Sequence, residues 1–177
     1  MNFDLTSEQD HLRRTVHEFA EAEIKSHVRE WNERQQVPQE LTRKLRRLGV
    51  FGTIFPEALG DAGMGHVDHT IVVEELARVD PSVALIVAAH TSLCASHIYL
   101  HGSEEQRRKY IPNLAAGEWL GCWYLNEPEA CSDAAGTRTA AVEDQGHWVR
   151  DGSTTFTTNS HQADVCVAMA VTDPAAA

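Results

Sequence analysis

The 177-residue sequence predicts an α+β fold: an all-helical N-terminal domain over residues 1–118, then a partial antiparallel β domain over residues 119–177. Three observations carry this. Apolar residues recur at helical spacing through the first two thirds of the chain. The same stretch is punctuated by helix start and stop signals. After Gly117 the pattern changes to short β-rich runs separated by Asp and Gly turns.

Thr6 followed by Gln9 is a capping-box pattern. Leu12, Val16, Phe19 and Ile24 then lay out one face of a long helix continuing toward Trp31. Pro38 sits where a first helical residue is well placed, Leu41, Leu45 and Leu48 follow at helical spacing, and Gly49 is a natural stop. The glycine-rich run "FGTIFPEALGDAGMGHVDH" has no GK[ST] and no strand–GxGxxG–helix context, so it reads as a connection anchored by Ile54 and Phe55. A helix from about His69 to Val79 follows. Asp80-Pro81 then combines a capping carboxylate with proline at the first helical position. The next helix, "VALIVAAHTSLCASHIYL", is apolar nearly all round and belongs in a core. Gly102 ends it, and Ser103 with Gln106 opens a short charged helix.

Beyond Gly117, "TRTAAVEDQGHWVRDGSTTFTT" predicts strands with turns near residues 144–146 and 151–152. "DVCVAMAV" reads as a short buried strand.

Net charge is −11 with the histidines neutral, which argues against a nucleic-acid binder, because phosphate-backbone affinity needs clustered Lys and Arg. No apolar run is expected to approach the length of a membrane span. "MNFDLTSEQD" lacks the basic start and apolar core of a signal peptide, so the expected compartment is the cytoplasm. Cys94, Cys122, Cys131 and Cys166 form no CxxC pair and are expected free and mostly buried. His97 and His101, and His66 and His69, lie close in sequence, but no Cys or acid completes a ligand set, so no metal is expected. Glu57, Glu74, Glu75, Glu118 and Glu127 read as surface or capping carboxylates, none singled out as a base.

The stretch "WYLNEPEACSD", residues 123–133, ends an aromatic run in a polar turn. It either closes a strand or presents polar groups to a ligand. A family resemblance bears on the choice. "VVEELARVDPSVALIVAAHTSL", "HGSEEQRRKYIPNLAAGEW", "LNEPEACSDAAGTRTAAV" and "VRDGSTTFTTNS" occur in an order and spacing that resemble the N-terminal portion of the acyl-CoA dehydrogenases, FAD-dependent α,β-desaturases of acyl thioesters. They span most of residues 69–160.

The resemblance implies a helical domain, a β domain and a C-terminal helical bundle, with FAD between the last two. Trp123, Tyr124, Leu125, Asn126 and Ser132 would lie along the flavin and its pyrophosphate, and Ser132 would also approach the pantetheine–phosphate end of the substrate. Phe156 would cover the isoalloxazine edge, and Thr157 and Thr158 complete the motif, Thr158 hydrogen-bonding near the redox-active nitrogen. Where the family reads LTEPGAGSD, this chain has Asn126 for threonine and Glu129 and Cys131 for glycines; where it reads WIT, Phe156 replaces tryptophan.

The resemblance also implies an acyl-CoA or acyl-carrier thioester as substrate and an electron-transfer flavoprotein as acceptor. No residue here matches the family's catalytic glutamate. The chain is therefore expected to be inactive alone, with the C-terminal half supplied by a longer chain or a partner, and to form homo-oligomers or a complex. The alternative is a non-catalytic partner subunit with a degenerate flavin site.

Overall fold

A computed structural model describes residues 4–60, 63–131 and 133–173. Helix α1 (Ser7–Glu23) starts at Thr6, whose hydroxyl accepts from the Gln9 amide at 3.2 Å while the Gln9 side chain accepts from the Thr6 amide at 3.1 Å. The helix does not continue to Trp31. A 3₁₀ turn (Lys25–His27) separates it from α2 (Val28–Arg34). The buried stripe itself stays in register up to that break: Val16, Ala20 and Ile24 are four residues apart and fully buried, and the Ile24 amide still donates to the Ala20 carbonyl.

Helix α3 (Gln39–Leu48) begins one residue later than expected, with Pro38 as its N-cap, and ends at Gly49 in the left-handed region, φ 77°. Helix α4 (His66–Val79) starts where Asp68 accepts from the Gly65 amide at 2.9 Å. Asp80 caps α5 (Pro81–Ala88), accepting from the Ser82 amide at 2.8 Å. The chain then winds as a π-helix over Ala89–Ala95 before α6 (Ser96–His101). The run Pro81–His101 is long and apolar enough to cross a membrane by length and composition, which corrects the expectation that no segment has that character. Packing accounts for its apolarity: Val83, Ala84, Val87, Ala89, Cys94 and Ala95 are buried within the fold. Helix α7 (Glu104–Ala115) carries the expected Ser103–Gln106 capping box.

One cluster joins Val16, Ala20 and Ile24 of α1 to Leu41 and Leu45 of α3, Val72 and Leu76 of α4, and Val83 and Val87 of α5. A second gathers Phe55, Ala95, Ile111 and Leu114, with Val165 packed against it. Removing one such leucine would cost about 2–5 kcal/mol.

The strands form two separate pairs. β2 (Ala140–Asp144) and β3 (His147–Asp151) make an antiparallel hairpin, with Val142 opposite Val149. Its two-residue turn, Gln145-Gly146, has positive φ at both positions (50° and 79°), as the primed hairpin turns require. β1 (Gly121–Tyr124) pairs with β4 (Val165–Ala168) in parallel, not antiparallel. The forty residues between them leave β1, run through the hairpin and return to its starting end, so the expected antiparallel arrangement holds for the hairpin alone. β4 also departs from the buried strand expected, because Cys166 and Ala168 are exposed and Val165 and Val167 only partly covered.

Candidate functional site

β1 is seated by the groups around it. The Gly121 amide donates to Nδ1 of buried His90 at 2.9 Å. The Asp164 carboxylate accepts from the Leu120 amide at 2.8 Å. Gly121 is also where strand and π-helix touch: a Cβ there would lie 2.7 Å from both Cβ and Sγ of Cys94. Only glycine permits that approach.

The loop after β3 is laid across the end of β1. The Thr155 amide donates to the Asn126 carbonyl at 2.8 Å. The Asn159 side chain donates to the Ile86 carbonyl at 3.1 Å and to the Gly121 carbonyl at 3.0 Å. Two residues of this loop take left-handed backbone, Phe156 (φ 54°) and Asn159 (φ 70°). Asparagine tolerates that region; for an aromatic residue it is strained. Phe156 is also 91% exposed. The chain thus holds a large apolar ring in water on a strained backbone, a combination that packing within these residues does not reward.

The result is a cleft of about 120 Å³. Ala89 and Leu93 of the π-helix form one wall; Trp123, Leu125 and Asn126 form the second; Thr155, Phe156 and Thr158 form the third. Five of the eight expected cofactor residues, Trp123, Leu125, Asn126, Phe156 and Thr158, therefore meet in one place. Thr157 lines an adjoining groove of about 530 Å³ with Val37, Leu85 and Ile86, which Thr158 also borders. Tyr124 points elsewhere, with the Arg150 guanidinium 5.2 Å from its ring centroid, because successive strand residues face opposite ways. Ser132 lies outside the described residues.

The cleft has unmet hydrogen-bonding capacity suited to a polar, aromatic group. The Trp123 indole N–H is shielded from solvent and has no acceptor among the described residues, although its ring packs tilted against His97, the centroids 4.9 Å apart at 31°. The Thr158 hydroxyl makes no hydrogen bond among the described residues. The turn after the cleft is less accommodating. Glu129 is exposed there, and Cys131 takes a left-handed φ of 47° that a glycine would adopt freely.

Two carboxylates read as surface groups are buried instead. Glu75 is 3% exposed and contacts His17 Nδ1 at 3.1 Å and Arg78 Nε at 3.5 Å. Glu127 is 4% exposed and accepts from the Arg138 and Thr139 amides, each at 2.8 Å. Both brace the fold, and neither lines the cleft. Cys94 and Cys122 are buried and Cys131 and Cys166 exposed, and no disulfide joins any of them among the described residues. No group of three potential metal ligands occurs among the described residues.

Sequence reasoning missed His90 and Asn159. His90 stands inside an apolar run with nothing to mark it. Asn159 had a usable signal, an asparagine in a turn motif where left-handed backbone is expected.

A family profile described as "Acyl-CoA dehydrogenase, N-terminal domain" matches residues 6–118. A short-chain-specific acyl-CoA dehydrogenase of Clostridium acetobutylicum is 43% identical over 173 residues, covering 98% of this chain and 46% of the relative. A glutaryl-CoA dehydrogenase from Mycobacterium smegmatis, solved in complex with FADH2, superposes with a TM-score of 0.90 at 35% identity, covering 96% of this chain and 44% of its own. A chain in a structure described as an electron transferring flavoprotein of Acidaminococcus fermentans superposes with a TM-score of 0.95 at 35% identity, covering 99% of this chain and 46% of its own. The chain thus spans about half the length of the relatives it matches, and it belongs to the acyl-CoA dehydrogenase family.

Proposed function

We propose that these residues form the N-terminal part of the flavin and acyl-thioester site of an FAD-dependent oxidoreductase that desaturates acyl thioesters between the α and β carbons. The carrying observation is the meeting of Trp123, Leu125, Asn126, Phe156 and Thr158 at one cleft. When bound, FAD supplies the hydride acceptor of that reaction. Phe156 offers an aromatic face already turned to solvent. The Thr158 hydroxyl, without a partner among the described residues, offers a donor that would stabilise negative charge developing on a reduced ring. Ala89 and Leu93 form an apolar wall that keeps water from the reacting carbons. An acyl-CoA or acyl-carrier thioester is the substrate class, and an electron-transfer flavoprotein the acceptor, a pairing supported by the Acidaminococcus match.

None of the cleft-lining residues carries an ionisable side chain, so under this reading the base that removes the α-proton is supplied from beyond the cleft, by a longer chain or a partner. A non-catalytic subunit is the second reading, favoured by exposed Glu129 and strained Cys131 in the turn that would meet a pyrophosphate. Flavin fluorescence quenching separates the two. Under the first reading the chain, with any copurifying partner, quenches FAD, Thr158→Ala weakens binding by about 0.5–1.5 kcal/mol, and replacing Glu129 and Cys131 by glycine tightens it. Absence of quenching by both the parent and the glycine variant favours the second.

A further inference from the structure

We propose that His90 is a positioning residue for the flavin-facing strand, holding β1 against the π-helix through one donated and one accepted hydrogen bond in a single tautomer. This rests on the flavin reading above for its functional meaning, and on geometry for the rest. His90 is fully buried. Its Nε2 lies 3.0 Å from the Leu114 carbonyl and its Nδ1 2.9 Å from the Gly121 amide. A carbonyl can only accept and a backbone N–H can only donate, so the partners dictate the tautomer: the proton is on Nε2 and Nδ1 is bare. A second proton would set N–H against N–H at Gly121.

The surroundings oppose that proton. The ring meets the edge of Phe51 at 4.7 Å, and burial pushes its pKa down to about 4. The titratable group acting on it is His69 on α4, with Cys94 beside it across Gly121; Phe51 and Leu114 contribute none.

The contact has leverage because Gly121 serves two walls of the cleft. Trp123 follows it by two residues on β1. The Gly121 carbonyl accepts from Asn159, which anchors the loop carrying Phe156 and Thr158. The third wall, Ala89 and Leu93, flanks His90 on its own helix.

The test compares H90L, which keeps bulk and loses both bonds, with H90N, whose side-chain oxygen can replace Nδ1 as the acceptor for the Gly121 amide. In H90L the Gly121 amide should exchange with solvent at least about tenfold faster, while Val16 and Leu76 amides stay unchanged, and FAD affinity should fall about tenfold. H90N should restore both to within about threefold. Nitrogen chemical shifts of wild-type His90 should report the Nε2–H tautomer. Wild-type Gly121 protection in H90L, an H90N variant as impaired as H90L, or an Nδ1–H tautomer overturns the proposal. If H90L fails to fold, the tautomer and H90N decide. If wild type takes up no FAD, the flavin reading fails, and Gly121 exchange alone still decides whether His90 anchors β1.

Discussion

The helices and the strands of this chain stand in opposite relations to solvent. In α1, α3, α4 and α5 the apolar stripe of each helix is closed by the others, and Val16, Ile24, Leu45, Leu76 and Val87 are fully buried. In the hairpin, Val142, Trp148 and Val149 remain 65%, 61% and 54% exposed. A helix satisfies its backbone internally and needs a partner for one face only. A strand needs partners at both edges and cover on at least one face. The helical part therefore closes a continuous core within these residues, though Val67, Leu85 and Leu100 stay 55%, 52% and 63% exposed, while the β part presents uncovered faces. The candidate cleft lies on the seam, its first wall taken from the finished part and its other two from the open one.

Turnover gives the largest expected contrast. The isolated chain should desaturate acyl-CoA slower than a complete family member by at least the ~10²–10⁴-fold that a general base contributes. A dye-reduction assay showing ordinary enzymatic rates would mean the open region already holds a full site. Next, Leu76→Ala should cost about 2–5 kcal/mol by denaturant unfolding. A loss under 1 kcal/mol, on the scale of about one methylene, would show the helical core to be looser than its burial implies.

Acid should attack the finished side. His69, with its ring nitrogens 3.0 Å from the Thr53 hydroxyl and 3.1 Å from the Ser92 hydroxyl, and His90 are both held near pKa 4 by burial, against 6.5 unfolded. Between those values the unfolded chain binds more protons than the folded one. Their stabilisation is therefore complete above about pH 6.5 and lost as pH falls toward 4, by about 3 kcal/mol for each histidine. Denaturant midpoints measured across that window should show the loss, and His69→Asn should remove one histidine's share of the slope. An unchanged slope would remove His69 from the account.

Phe156 tests the seam. Phe156→Gly should raise stability by about 1 kcal/mol, because glycine takes φ 54° without strain and little packing is lost. It should at the same time weaken FAD binding. A destabilised variant with unaltered affinity would make the ring structural. The smallest expected effect is Val149→Ala, within about 0.5 kcal/mol. A cost comparable to Leu76→Ala would reveal that the hairpin is covered in solution, by another copy or a partner.

Much of this contrast is legible in the residues. The capping boxes at Thr6 and Ser103, the Asp80-Pro81 start and the Gly49 and Gly102 stops depend on local backbone chemistry, and each stands where its own side chains put it. The turn at Gln145-Gly146 is local in the same sense. The break after Glu23 was not visible in the apolar stripe, since Val16, Ala20 and Ile24 keep helical spacing up to it. The parallel pairing of β1 with β4, the exposure of β4 and the burial of Glu75 and Glu127 were not visible, since each depends on segments distant in sequence.

The sequence by itself therefore determined where most helices lie and are capped, the hairpin turn and the family, because these rest on periodicity, caps and motif order within short windows; it did not give the break after Glu23 or the π-helical winding at Ala89–Ala95. Only the tertiary structure decided which candidate residues share a cleft. Trp123 and Tyr124 are adjacent, yet strand alternation sends one into the cleft and the other to Arg150. Phe156 and Thr158 join Trp123 through Asn159, and β1 itself is held by a histidine thirty-one residues earlier. Such contacts close long loops, and a linear pattern carries no record of which loops close.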